Sequence, residues 1–225
     1  MICTIHQPNF LPYLGFFNKF KQADVFVLYD TAQYSKNDYH NRNQIKVGDQ
    51  GAWITIPVSI HLGDLILEAK IANRDFVKKH LGLIQQTYRK APFFKEIYAD
   101  LEKIYLDENL AKLTDINTAL LKMIFKKFDP AKKIISSSEL SIDRAKKSTD
   151  GIIEICRSVG CDTYISGGGA RSYLDEARCE KEGLKIIWQK FNHPVYTQFG
   201  KEFVPNLSII DGLFHLGYEN LYKLI

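Results

Sequence analysis

Short apolar runs, turn residues and stretches of helical spacing organise both ends of this chain. ICTIH reads as a strand, residues 13–22 place Phe16, Phe17 and Phe20 at helical spacing, and DVFVLYD reads as a compact buried strand. Two strands joined through one helix make a βαβ unit, which requires a parallel sheet. The segment TAQYSKNDYHNRNQIK is polar and aromatic without a period, which predicts a loop of binding character. Residues 44–59 then predict a β-hairpin turning at Gly48, Asp49 and Gly51.

Residues 73–128 change to helical patterns with Lys-rich outer faces. Asn73 can cap the first helix, Pro92 suits the first turn of the second, and Leu113, Ile116, Leu120 and Ile124 mark one face of a third. This stretch reads as a helical insertion within a single domain of residues 1–225. Beyond Pro130 the α/β rhythm returns. KKIISSSEL predicts a strand, Ser148 caps a helix that Gly160 ends, and CDTYIS predicts the next strand. A GGG turn leads to a helix over ARSYLDEARCEKE, Gly183 stops it, and LKIIWQKF is the strand that follows. A terminal helix is expected near residues 209–216. The fold class is therefore α/β: a Rossmann-like parallel sheet flanked by helices, with a β-hairpin and a helical insertion.

Composition narrows the class without naming a chemistry. The 225 residues are 45% hydrophobic and 25% charged, with a formal charge of +4, values that exclude a disordered or collagenous chain. No apolar run approaches the ~20 residues a membrane span requires, and no basic leader opens the chain, so a cytoplasmic protein is expected. Cys3, Cys156, Cys161 and Cys179 show neither CxxC spacing nor a His cluster, so no metal site is expected and the thiols read as reduced. The scattered lysines suit a phosphorylated ligand and give no sign of nucleic acid.

Candidate chemistry gathers where strands are expected to end. Ser166, Gly167, Gly168, Gly169 and Arg171, with Tyr173 following, lie between a strand and a helix. Three glycines let backbone approach a ligand, amide N–H groups at a helix start favour an anion, and Arg171 adds a fork of donors for phosphate oxygens. The alternative is a plain turn with Arg171 paired to a surface carboxylate. His6, Gln7 and Asn9 follow the first strand at the carboxyl edge where open α/β sheets bind ligands, with Tyr13 just beyond. His6 there either moves a proton near neutral pH or anchors the loop. Lys36, Asn37, Asn41, Arg42 and Asn43 offer donors for sugar hydroxyls and phosphates, or form a solvated loop. His193, Tyr196 and Gln198 make a third polar group, open to a local turn role. Asp30 ends a strand, where it can hold Mg²⁺ or a ribose hydroxyl, or fix the loop.

Several segments together carry a resemblance. HQPNFLPYLGFFNKFKQADVFVLYD, QYSKNDYHNRNQIK, YRKAPFF, TYISGGGARSYLDE and WQKFNHPVYTQFGKEFVPNLSIIDGLF resemble the WbqC-like family over nearly the whole chain. That resemblance implies a role in O-antigen and surface-polysaccharide biosynthesis, with transfer of glycine to a sugar as the activity suggested for the family. A fainter similarity is to nucleotidylyl transferases and pantothenate synthetases with an HxGH motif. Here Tyr13, Gly15 and Phe16 stand where that motif has His, Gly and His, and ISGGGAR stands in place of its Ser-rich turn. Together they imply an aminoacyl or acyl transferase acting on an amino-sugar nucleotide or polysaccharide precursor, with ATP and Mg²⁺ as candidate cofactors. The resemblance supplies no catalytic residues; from the residues themselves His6, Lys36 and Arg171 are expected in catalytic roles, with Gly167–Gly169 and Arg171 holding phosphates and the Lys36–Asn43 loop orienting the acceptor. The alternatives are a nucleotidyl transferase and a non-catalytic nucleotide-sugar binding protein.

Overall fold

The computed structural model describes residues 1–225. The chain runs β1 (Ile2–His6), α1 (Leu14–Gln22), β2 (Val25–Leu28), β3 (Arg42–Val47), β4 (Gln50–Thr55), β5 (Val58–Ser59) and β6 (Lys70–Ile71). It continues through α2 (Asp75–Tyr88), α3 (Phe94–Tyr105), α4 (Leu113–Phe128), β7 (Lys133–Ser136), α5 (Ser148–Ser158), β8 (Thr163–Ser166), α6 (Glu176–Lys181), β9 (Lys185–Trp188) and α7 (Ile209–Leu224). No helix is long and apolar enough to cross a membrane.

Two compact units divide these elements. The first takes residues 1–7, 18–32 and 131–192, the second residues 8–17, 33–130 and 193–225. The first unit is the expected Rossmann-like sheet: five strands in the order β7-β2-β1-β8-β9, every pair parallel. Its period-two alternation sorts side chains by face. Cys3, Ile5, Val25, Val27 and Tyr164 join one buried cluster with Ile152, Ile155 and Cys156 of α5. Phe26 points the other way, with its ring 6.1 Å from that of Phe20 on α1. Thr4 Oγ1 donates to the Ile165 carbonyl at 2.9 Å, satisfying a hydroxyl that strand alternation buries.

The second unit holds the predicted hairpin, β3 against β4 antiparallel, and a short β5–β6 pair. Its helices bury the faces their spacing marks. Leu113, Ile116, Leu120 and Ile124 of α4 are fully buried, and Phe17 meets Phe125 edge-on at 5.7 Å. Asp115 Oδ2 accepts the Lys112 N–H at 2.8 Å to close the start of α4.

Several boundaries differ from the sequence reading, each for a local reason. Ser148 begins α5 instead of capping it, because its hydroxyl donates to the Tyr173 carbonyl at 3.1 Å. The helix expected over 170–182 is a 3₁₀ turn, Gly168–Ser172, followed by a fresh start at α6. Asp175 interrupts it: its side chain caps Arg178 N at 3.0 Å while its own N–H turns to Thr149 Oγ1 at 2.9 Å. β7 stops at Ser136 because the next two serines turn their hydroxyls onto Asp30. Pro92 lies just ahead of α3 instead of inside its first turn. The last helix runs past residue 216, but Gly217 breaks it with φ of 72°.

Candidate functional site

The first unit has a topological switch point. Numbered by appearance, its strands lie in the order 3-2-1-4-5, so the direction of winding reverses between β1 and β8. In open α/β sheets the crevice at such a reversal, outside the carboxyl ends of the strands, is where ligands bind. Here β1 ends at His6 and β8 at Ser166, and the two strands pair through Thr4 and Ile165. His6 is half-buried, with Nδ1 3.0 Å from the Gln7 carbonyl, and Gln7 continues the chain from that edge.

The glycine turn opens directly above the switch point. None of Gly167, Gly168 and Gly169 has positive φ, so the backbone does not demand glycine there. Sterics do not demand it either: a Cβ at Gly168 or Gly169 would meet nothing within 4 Å. Three adjacent glycines add chain entropy that folding must overcome, roughly 0.5–1 kcal/mol each relative to alanine in regular structure. What they leave is uncovered backbone. The N–H groups of Gly168 and Gly169 have no acceptor within the fold and stand exposed. The helix behind them is only a five-residue 3₁₀ turn, so it adds no helix dipole of consequence.

Two cations approach this turn from opposite faces of the sheet. Arg171 is exposed, and its Cζ lies 4.2 Å from the ring centroid of Trp188, which packs on the α5 face. The buried indole Nε1 of Trp188 has no hydrogen-bond acceptor. Lys19 comes from α1. It is 5% exposed, its Nζ is 3.6 Å from the position a Cβ on Gly167 would take, and no carboxylate or hydrogen bond holds that nitrogen. Burial without a counter-ion lowers its pKa to about 7. Lys19 is not among the residues singled out from the sequence. Its spacing carried the signal, since three residues after Phe16 and beside Phe20 it falls on the apolar stripe of α1.

The remaining predicted residues of this unit are engaged locally. Ser166 is fully buried, with Oγ 3.4 Å from the Tyr164 hydroxyl. Asp30 accepts from Ser137 Oγ at 2.8 Å, Ser138 N at 2.9 Å and Ser138 Oγ at 2.5 Å, which fixes the loop after β2. Tyr173 is exposed, and its carbonyl accepts from Ser148 and Thr149 hydroxyls. A protein-held Mg²⁺ does not fit this donor set. Both oxygens of Asp30 are taken by serines, and no three His, Cys, Asp or Glu side chains converge elsewhere.

The other predicted residues belong to the second unit. Lys36 and Asn37 are exposed, whereas Asn41 and Asn43 are buried and act on backbone: Asn41 Nδ2 donates to the Ile56 carbonyl at 2.8 Å, and Asn43 Nδ2 to that of Leu11 at 2.7 Å. Arg42 donates to the Asn37 carbonyl and lies 4.4 Å over the Trp53 ring. Asn9 Oδ1 is buried without a donor, and Tyr13 pairs with Ser208 in a β-bridge. His193 Nδ1 is 2.8 Å from the Pro194 carbonyl, and burial lowers the imidazole pKa.

Tyr196 and Gln198 converge on a residue outside the prediction. Asp211 Oδ2 accepts the Tyr196 hydroxyl and Gln198 Nε2, each at 2.8 Å, while Oδ1 accepts the Tyr88 hydroxyl at 2.8 Å. Asp211 and His215, one helical turn apart on α7, line a cavity of about 270 Å³ together with Lys46, Gln86, Thr87 and Phe199. Phe199 meets the His215 ring edge-on at 4.6 Å, and burial lowers that imidazole's pKa.

The fold is that of an α/β protein with an exposed glycine turn at the switch point of a parallel sheet. The chain belongs to the WbqC-like protein family, whose model matches residues 7–223. It is 32% identical over 219 residues to the uncharacterized protein Rv1507c of Mycobacterium tuberculosis, a match covering 96% of this chain and 94% of that protein. No solved structure matches the chain.

Proposed function

We propose that this protein is a transferase of surface-polysaccharide biosynthesis that holds a phosphorylated, nucleotide-activated amino sugar by its phosphates at the carboxyl edge of the first unit's sheet. It passes a glycyl or related acyl group to the sugar amine. One observation carries the reading: at the switch point stands a run of three glycines that neither φ nor neighbouring atoms require. Glycine at such a place serves close approach of backbone to a ligand. Family membership supports the substrate class.

The chemistry needs an activated carboxylate. With ATP, glycine would form an acyl-adenylate and release pyrophosphate; the sugar amine then attacks the carbonyl carbon, the amide bond forms, and AMP leaves with the carbonyl–phosphate bond's electrons. The attacking amine loses one proton, and His6 at the end of β1 is the base available at that edge. Positioning and electrostatics would supply most of the rate, without a protein nucleophile.

Incubating the protein with ATP, Mg²⁺, labelled glycine and a panel of amino-sugar nucleotides tests the proposal. Labelled amide product is the expected result. Pyrophosphate release that needs no glycine would make the protein a nucleotidyl transferase, and saturable binding without turnover would make it a binding protein.

A further inference from the structure

We infer that Lys19 is the buried cation of this site and that a phosphoryl oxyanion seated on the amides of Gly168 and Gly169 is its missing partner. The inference rests on the reading of the glycine turn as a phosphate cradle, and adds a residue and a direction of approach that neither family membership nor motif assigns.

A lysine amine taken almost entirely out of water is costly unless a counter-charge or hydrogen bonds meet it. Lys19 has neither; its side chain is buried, and its nitrogen keeps only a narrow opening to solvent at the turn. The nitrogen instead sits against Gly167, where the absent Cβ leaves it uncovered at 3.6 Å. The unpaired side-chain donor thus lies beside Gly167, the residue that leads into the two unpaired backbone donors of Gly168 and Gly169. All three are donors, and an oxyanion is the complement to such a set.

Charge around α1 leaves the role to the ligand. His6 ends β1, Asp24 and Asp30 flank β2, and Lys132 precedes β7. Asp24 accepts the Ile2 N–H at 2.7 Å, Asp30 is closed by Ser137 and Ser138, and Lys132 Nζ donates to the carbonyls of Lys21 and Ala23. None of these groups contributes to the lowered pKa of Lys19, whose sole cause is burial. An arriving oxyanion supplies the counter-charge and draws a proton onto the amine, so binding above neutral pH takes up protons. A lysine that merely fills space would show no such linkage.

Titration calorimetry of the full chain with inorganic pyrophosphate, near pH 8 and in two buffers of different ionisation enthalpy, tests this directly. Lys19→Met is expected to weaken binding roughly tenfold to a hundredfold, the scale of a charged hydrogen bond, and the wild type is expected to take up more protons on binding than this variant, the ligand's own proton release being common to both. Gly167→Ala, which places a methyl group against the amine, serves as a second variant and is expected to weaken binding while leaving the melting temperature unchanged. Wild-type binding that Lys19→Met leaves intact, or a proton change identical in the two proteins, would overturn the role of Lys19 while the phosphate cradle stands. Failure of the wild type to bind pyrophosphate would overturn both.

Discussion

The Tyr88 hydroxyl donates to Asp211 Oδ1 at 2.8 Å, joining the end of α2 to the first turn of α7 across 123 residues of sequence. The same hydroxyl accepts the Lys46 N–H of β3 at 3.1 Å, and the ring stacks on Phe214 at 4.5 Å. One oxygen therefore ties three elements of the second unit. Tyr88→Phe keeps the stacking and is expected to cost about 1–2 kcal/mol in urea unfolding. Asp211→Ala strands two tyrosine hydroxyls and an amide at once, and its expected cost is about 3 kcal/mol or more. Equal costs for the two variants would mean that Tyr196 and Gln198 add nothing to the network.

Gly168→Ala separates folding from binding. The Cβ meets no atom within 4 Å and φ is not positive, so stability is expected to stay within about 0.5 kcal/mol of the wild type or rise slightly. Binding of phosphorylated ligand, followed by thermal shift, is expected to fall because the methyl group stands over the exposed amides. A variant that binds as well as the wild type would show that the turn's openness has no role in recognition.

The lowered pKa of Lys19 has a stability signature of definite sign. In the unfolded chain the amine titrates near 10.5, in the folded chain near 7, so between these limits the unfolded state holds the extra proton. The cost of burying the charged amine is present in full below pH 7 and is relieved as pH rises toward 10.5. The contribution of Lys19 to unfolding free energy is therefore expected to rise with pH by up to about 1.4 kcal/mol per unit in this window. Comparing urea unfolding of the wild type and Lys19→Met from neutral pH to mildly alkaline conditions isolates it. Parallel curves would show that the amine keeps its ordinary pKa.

All four cysteines are buried, and Cys3 Sγ lies 3.4 Å from Cys156 Sγ. The hydrogen bond to Cys156 and burial both push the Cys3 thiol up, and burial pushes Cys161 up to about 12. Since the thiolate is the reactive form, the native protein is expected to react only slowly with a thiol reagent, and all four thiols are expected to titrate after denaturation. Rapid native labelling of Cys3 would contradict this packing.

How far the sequence could be read depended on how local each signal was. The two βαβ units declared themselves because strand, helix and strand are contiguous, and adjacent segments such as β8 and β9 pair with each other. The position of β1 between β2 and β8 follows from long-range pairing that no local pattern encodes, yet it is what brings His6 and Ser166 to one edge. The glycine run was visible as a motif, while the reason for it emerged only from φ values and empty space. Lys19 was hidden by its type, because a lysine on a helix is ordinarily taken as solvent-facing. Asp211 was hidden by distance, since two of its donors lie nearby at Tyr196 and Gln198 but the third is on α2. Polar residues such as Asn41 and Asn43 read as ligand donors and serve carbonyl groups of their own unit.

The chain has two tryptophans, and each lies under a guanidinium: Arg42 over Trp53 and Arg171 over Trp188. A neighbouring cation perturbs indole emission, so the arginine beside the glycine turn acts as an optical pointer to its own position. In a chain with Trp53→Phe, fluorescence would report on Trp188 alone. Any molecule that draws Arg171 away from the indole would then announce its arrival as a change in colour or brightness, without a label and whatever its chemical identity.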